Sequence, residues 1–198
     1  MIRIATEADA SVLLAIYAEY VKNTAISFEY DIPSVEEFRI RIHGTLEKYP
    51  YLVSIRDGEI AGYVYVSEFH HRIAYARSVE TSIYVKSGLQ KSGVGRELYA
   101  ALEKALSMQH IINLNACVTC PDGDDPYLTR NSFDFHQHMG YRPVGEFHKC
   151  GYKFGRWYNV AWLEKFLSEH THTPLPVLTF PTVRKQFEAE LAAQQPIR

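Results

Sequence analysis

Residues 88–99, GLQKSGVGRELY, set three glycines, Gln90, Lys91 and Arg96 ahead of an apolar pattern with helical spacing. The β-branched run TSIYV, residues 81–85, lies just upstream and predicts a strand. A helix N-terminus presents backbone N–H groups without internal partners, at the positive end of the helix dipole. Phosphate groups bind there when the backbone can be closely approached. Gly93 and Gly95 carry no side chain to block that approach, and Gly93 tolerates positive φ. Lys91 and Arg96 add positive charge. The spacing is neither the triphosphate loop G-x-x-x-x-G-K-[ST] nor the dinucleotide loop G-x-G-x-x-G. What remains is Gln90-x-x-Gly93-x-Gly95 between a strand and a helix, either a pyrophosphate cradle or an ordinary strand-to-helix turn.

Upstream, IRIA begins a short strand, and Thr6 or Asp9 can cap a helix with Val12, Leu13, Ile16, Tyr17 and Tyr20 at helical spacing. Pro33-Ser34 starts a second helix with Val35, Phe38, Ile42 and Leu46 on one face. Two β-rich runs flank Asp57-Gly58, a hairpin signal. Downstream, the helix runs to about Met108 and INLNACVTC is a strand. The loop PDGDDPYLTR follows, then a short helix, NSFDFHQHMGY, ended by Gly140. Residues 142–167 predict two last strands around a long connection. The order β-α-α-β-β-β-α-β-α-β-β is a mixed α/β (α+β) domain rather than a βαβ repeat. Residues 1–167 form that domain, 168–181 a Pro-rich arm, and 182–198 an amphipathic helix and tail. Val183, Phe187 and Leu191 form a stripe that packs on this domain or on a second subunit.

A net charge of -2 across 198 residues favours neither nucleic acid nor an anionic membrane as partner. No apolar run approaches the roughly 20 residues of a spanning helix, and MIRIATEADA lacks signal-peptide architecture, so a cytoplasmic location is expected. Three cysteines do not make a disulfide framework. Cys117-x-x-Cys120 lacks the further ligands of a structural zinc site, and it falls on a strand rather than a redox helix start. His136 and His138, two apart on a helix, diverge, so no metal is expected.

The Gln90-x-x-Gly93-x-Gly95 loop resembles the acetyl-CoA loop of the GCN5-related N-acetyltransferases, [Q/R]-x-x-G-x-[G/A]. The strand before it, the helix after it, and Asn131-Ser132 with Met139-Gly140-Tyr141 follow that family's order. NTAISF, DGEIAGYVYVSEF, RIAYARSVETSIYV and GYKFGRWYNVAWLEKFL are similar to its phosphinothricin and methionine sulfoximine acetyltransferase branch, over about residues 1–167. The loop CPDGDDPYLTR is longer than the branch's usual connection, and the arm after Leu167 is not typical of it.

The resemblance implies a mostly antiparallel twisted sheet flanked by helices, with acetyl-CoA at the junction of the fourth strand and third helix. It also implies a small-molecule amine acceptor and a homodimer. Cofactor contacts fall on Ile83, Tyr84 and Val85, on Gln90, Lys91, Ser92, Gly93, Val94, Gly95 and Arg96, and on Asn131. Glu80 matches the branch's general base, needed because amino-acid amines are mostly protonated at pH 7. His136 matches a histidine that relays a proton or orients the acceptor. Arg72 and Tyr75 match positions that hold the acceptor's anionic end, where an Arg fork suits a carboxylate or phosphinate. Phe28 matches a wall of the acceptor pocket. The residue-level alternatives are an exposed strand Glu80, a helix His136 bonded to backbone, a surface Arg72 and a core Phe28. Lys153, Arg156 and Trp157 read first as structural. Acetyl transfer to a polyamine or a peptide amine, or a catalytically silent acyl-CoA-binding module, remains open; His70, His71, Arg72 and Arg77 argue against a polyamine.

Overall fold

The computed structural model describes residues 1–194. Its elements are β1 (Ile2–Ile4), α1 (Ala10–Asn23), α2 (Val35–Leu46), β2 (Tyr51–Arg56), β3 (Glu59–Glu68), β4 (Ser78–Val85), α3 (Val94–Met108), β5 (Asn113–Cys120), α4 (Asn131–His138), β6 (Arg142–Lys153), β7 (Arg156–Phe166) and α5 (Phe180–Gln194). The strands form one sheet in the order β1-β2-β3-β4-β5-β7-β6. All neighbours are antiparallel except β4 and β5.

Local chemistry sets the element starts. The Thr6 N–H donates to Asp9 Oδ2 at 2.8 Å, and Arg3 holds the same carboxylate at 2.8 Å, so Asp9, at the N-cap of α1, reaches back to Thr6 instead of bonding the N–H groups of α1. On α2, Ser34 and Glu37 exchange side-chain and backbone hydrogen bonds at 2.6 and 3.2 Å. Leu13, Ile16 and Tyr17 are buried as their spacing predicts, but Val12 is exposed and Leu14 takes its place. Val35 is likewise exposed, while Phe38 and Ile42 are buried. Asp57 and Gly58 both take positive φ, 51° and 82°, which suits a two-residue hairpin turn.

The long connection expected between the last strands is absent. Phe154 and Gly155, at φ 51° and 73°, join β6 to β7 in another tight turn. The spare length sits inside β6 as register shifts at Pro143/Gly145 and Phe147/Gly151, with Lys149 at φ 50°.

Apolar residues fill both faces of the sheet. Leu98, Tyr99, Leu102 and Leu106 of α3 pack on one face, with Val79 of β4 and Leu114 of β5. Leu13, Tyr17, Phe38 and Ile42 of α1 and α2 pack on the other, over Tyr51 and Tyr63. The C-terminal helix starts at Phe180, slightly before its expected position, with Pro181 in its first turn where the missing N–H is harmless. Val183 and Phe187 are buried in the α3-side core, so the stripe packs on this domain. Residues 195–198 of the expected tail lie outside the described residues. The arm before α5 is held by backbone acceptors: Leu175 O takes Arg77 Nη2 at 2.8 Å, and Leu178 O takes Gln109 Nε2 at 2.9 Å.

Candidate active site

The sheet opens at one place. β4 pairs with β5 only over Ser78–Glu80 against Asn113–Asn115. Beyond Glu80, residues 81–85 pair with β3 alone, and residues 116–120 of β5 pair with β7 alone. Lys86 N–H donates to Ala61 O at 2.8 Å, which fixes the β3–β4 alternation. Ile83 and Val85 therefore direct their backbone groups away from β3, toward the open side. Those of Val85 are already engaged: the Tyr20 hydroxyl donates to Val85 O at 2.6 Å and accepts from Val85 N–H at 3.2 Å. Of these two, Ile83 keeps its backbone edge free among the described residues. Tyr84 points its ring into a cluster with Tyr17, Tyr20 and Tyr63, at 5.0 to 5.3 Å between centroids.

Past β4 the chain turns through Gly88, Lys91 and Gly93, at φ 82°, 63° and 90°. Gln90 Oε1 accepts from Gly88 N–H at 2.9 Å, and Ser92 Oγ donates to Leu89 O at 2.6 Å, so both side chains shape the loop. Gly93 caps α3 in the left-handed region, and a Cβ there would meet nothing within 4 Å. The backbone N–H groups of Val94, Gly95 and Arg96 precede the first helical acceptor, and Glu97 N–H is the first to bond back, to Gly93 O at 3.1 Å. Lys91 and Arg96 are exposed and make no ion pair among the described residues.

Gly95 has a different reason to be glycine from the one expected. Its Cβ would stand 3.0 Å from Phe135 Cε2 and Cζ, so its bareness admits the ring of α4. That contact brings α4, with the exposed Asn131 in its first turn, against the start of α3.

Alternation along β4 puts Glu80 and Thr81 on opposite faces. Thr81 faces α3. Its hydroxyl lies 3.0 Å from Tyr99 Oη, 3.4 Å from Tyr141 Oη and 3.1 Å from Asn115 O, across the last rung before the strands part. His136 completes this buried network, with Nε2 2.8 Å from Tyr99 Oη and Nδ1 2.7 Å from Ser132 O. A carbonyl only accepts, so Nδ1 carries the proton and Nε2 faces the Tyr99 hydroxyl as an acceptor site. Burial lowers the imidazole to about 4, so it is neutral at pH 7. His136 is thus enclosed behind the sheet, on the face opposite Glu80, with both nitrogens engaged. It is not open to an acceptor.

Glu80 faces the α1/α2 side, opposite Ser67 of β3 and beside Asn115 of β5. Its carboxylate makes no hydrogen bond or ion pair among the described residues. Desolvation raises its pKa above the ordinary carboxylate value. Cys117 shares that face; desolvation pushes its thiol up to about 12 although the residue reaches the surface. Cys120, three positions on, points to the α3-side core, so the two thiols cannot share a metal. No cluster of three or more His, Cys, Asp or Glu among the described residues could hold a metal ion.

Of the expected acceptor residues, Tyr75 and Phe28 pack on this same side, against Phe69 with Trp162 and against Tyr158. Arg72 precedes a short 3-10 turn, Ile73–Tyr75, and its guanidinium is exposed and makes no ion pair among the described residues. Tyr75 packs on Phe69 at 5.9 Å, and Phe69 on Trp162 at 5.6 Å. Phe28 covers Gly151, where a Cβ would come within 2.1 Å of its ring.

Two functional placements were not expected from sequence: Tyr20 against Val85, and Lys153. Only 2% exposed, Lys153 donates to Val21 O, Thr24 O and Ser27 O at 2.9, 3.0 and 2.6 Å. It caps the negative end of α1 and fixes the turn leading to Phe28. Its place in KFGRW gave the motif but not the partners, which are more than a hundred residues away in sequence.

The split strand pair, the glycine-capped helix start and the desolvated carboxylate lie in succession along β4 and the start of α3. The acetyltransferase (GNAT) domain model matches residues 2–162, and the chain belongs to that family of enzymes. It is 33% identical to a phosphinothricin N-acetyltransferase of Streptomyces coelicolor over 168 residues, covering 83% of this chain and 94% of the relative. It is 27% identical to the L-methionine sulfoximine/L-methionine sulfone acetyltransferase of Salmonella typhimurium, covering 85% and 95%. A phosphinothricin acetyltransferase from Sinorhizobium meliloti, solved in complex with AcCoA, superposes with a TM-score of 0.79 at 27% identity, covering 91% of this chain and 97% of that one.

Proposed function

We propose that this chain transfers acetyl from acetyl-CoA to the amino group of a small amino-acid-like acceptor, of the phosphinothricin or methionine sulfoximine and sulfone type. The observation that carries the reading is Glu80. It is a desolvated carboxylate without a hydrogen-bond partner among the described residues, at the last β4–β5 rung, on the face where Tyr75 and Phe28 pack. Relatives named for those acceptors support it.

The residues present fit the co-substrate. The free N–H groups of Val94, Gly95 and Arg96, the open space at Gly93, and the charges of Lys91 and Arg96 suit a pyrophosphate. Ile83, with its free backbone edge, suits the pantetheine arm, and Asn131 lies beside the same helix start. Acetyl-CoA supplies the activated acetyl thioester. Glu80 takes the proton of the acceptor's ammonium, directly or through water, leaving an amine that can attack. Ile83 N–H is the donor available to a developing oxyanion on the open edge. Arg72 pairs with the acceptor's anionic end. His136 acts as a positioning residue, holding Tyr99 and Thr81 where the strands part.

The catalytic unit is residues 1–167, working in the cytoplasm, where the three unpaired cysteines stay reduced. The homodimer forms through β6, an edge strand that exposes Val144, Phe147 and, across the turn, Trp157 of β7, by 61%, 60% and 58%. Sedimentation should give a dimer that Phe147→Glu with Trp157→Glu turns into a monomer; a monomeric wild type removes the assignment.

The activity is tested with an acceptor panel, following CoA release. Turnover of methionine sulfone, methionine sulfoximine or phosphinothricin is expected. Turnover of spermidine or a peptide with none of these would replace the acceptor class.

A further inference from the structure

The Tyr20 hydroxyl sits where three segments meet: the last turn of α1, the end of β4 and the glycine loop of residues 86–93. A tyrosine hydroxyl has one proton to give and two lone pairs to accept with. The proton goes to Val85 O at 2.6 Å, and Val85 N–H donates to a lone pair at 3.2 Å. The Gln90 side chain takes the remaining place. Burial raises the Tyr20 pKa, and hydrogen bonding with Val85 and with the Gln90 side chain opposes that rise. Gln90 Oε1 is turned to Gly88 N–H at 2.9 Å, so the end of the amide left for the hydroxyl is its NH2 group, a donor.

Tyr20 is also held from behind. Its ring stands edge-on to Tyr84 at 5.1 Å and 74°, and Lys153 Nζ fixes the next carbonyl of α1, Val21 O, at 2.9 Å. The backbone bonds of the loop, by contrast, stay inside it: Leu89 N–H to Lys86 O at 3.0 Å and Ser92 N–H to Leu89 O at 3.4 Å. Gly88, Lys91 and Gly93 turn the chain sharply at positive φ. Local bonds therefore set the shape of the loop, while its placement against β4 depends on contacts from other elements. The Tyr20–Gln90 contact is one of these, and it ties the loop to the residue that ends β4.

We infer that Tyr20 is a positioning residue for acetyl-CoA, closing the Val85 rung and holding Gln90 so that the Ile83 edge and the N–H groups of Val94, Gly95 and Arg96 keep a fixed separation. The pantetheine arm then has one rung of β4 to pair with, and the pyrophosphate seat lies at a set distance from it. This rests on the acetyl-CoA fit proposed above and deepens it, because it adds a residue of α1 to the machinery of the loop.

Tyr20→Phe keeps the ring against Tyr84 and removes only the hydroxyl. Titration calorimetry with CoA, without any acceptor, should show binding weakened about three- to tenfold, the range expected for lost hydrogen bonds. S-acetylpantetheine lacks the pyrophosphate. With methionine sulfone as acceptor, the ratio of kcat/KM for acetyl-CoA to that for S-acetylpantetheine should therefore fall in the variant, whereas a general loosening would lower both alike. Adding Gln90→Ala should weaken CoA binding by less than the product of the two single losses, because the hydroxyl acts through the amide. Unchanged CoA affinity in Tyr20→Phe would overturn the inference. Tighter binding would also overturn it, and would mean that the hydroxyl competes with the arm for Val85. So would an unchanged ratio, or losses that multiply in the double variant. If CoA binds and Tyr20→Phe weakens it while no amino acid is turned over, only the acceptor reading falls. A wild type that does not bind CoA would overturn both.

Discussion

Glu80 and His136 are desolvated groups two strand-faces apart, and the sign of each shift suits its place. A raised carboxylate is a stronger base once ionised, and a lowered imidazole stays neutral inside a hydrogen-bonded network. A base must be deprotonated, so kcat/KM should fall as pH drops through the Glu80 pKa, and the acid limb should lie above the usual carboxylate range. Glu80→Gln should lower kcat about 10²-fold or more while acetyl-CoA affinity changes little. An unchanged pH–rate profile would remove Glu80 from the role. The same shift has a stability sign. A carboxylate whose folded pKa is raised favours the folded state at low pH, and that contribution is lost as pH rises through the folded pKa. Glu80→Gln should therefore leave the protein at least as stable at pH 7, so lost activity cannot come from unfolding; a lower Tm contradicts this. The strand position of Glu80 was legible in sequence. The bond of His136 to Ser132 O, one turn back on the same helix, was among the readings of the sequence, but its enclosure against Tyr99 of α3 was not, because no local pattern encodes how α3 and α4 pack.

Among the elements, α1 shows how distant residues fix a local geometry. Its C-terminal carbonyls and the turn after it converge on the Lys153 ammonium, three acceptors for three protons. Desolvation lowers the lysine's pKa, while these contacts keep its charge compensated. Removing it leaves buried carbonyls without a donor, each costing about 1–3 kcal/mol. Lys153→Ala should lower stability by about 3 kcal/mol in denaturant unfolding and raise KM for the acceptor more than KM for acetyl-CoA, because the turn carries Phe28 and not α3. Equal rises in both would mean a general loosening instead. Capping boxes and the Asp57-Gly58 turn were legible because their partners lie within a few residues. The tight turn at Phe154-Gly155 was missed because the bulges of β6 disguise where the strand ends. Gly95 has a packing requirement that the sequence did not show, since a bare backbone is visible there but not the Phe135 ring that lies against it.

Across the whole molecule, the element order was legible from hydrophobic periodicity, but the contribution of the C-terminal helix depends on contacts between distant segments. Phe187 is fully buried and packs on Phe180 at 5.7 Å, within the core that carries α3. α3 in turn presents the Gly93 cap and the free N–H groups of the cofactor loop. Phe187→Ala should therefore destabilise the protein by about 3–5 kcal/mol. Its kinetic signature should be distinct from that of Lys153→Ala. Below the melting temperature, the variant should show a raised KM for acetyl-CoA with the acceptor KM nearly unchanged, because α5 supports α3 and not the Glu80 face. Should both constants stay at wild-type values despite the lost stability, α5 would be a stabilising cover that does not influence the loop.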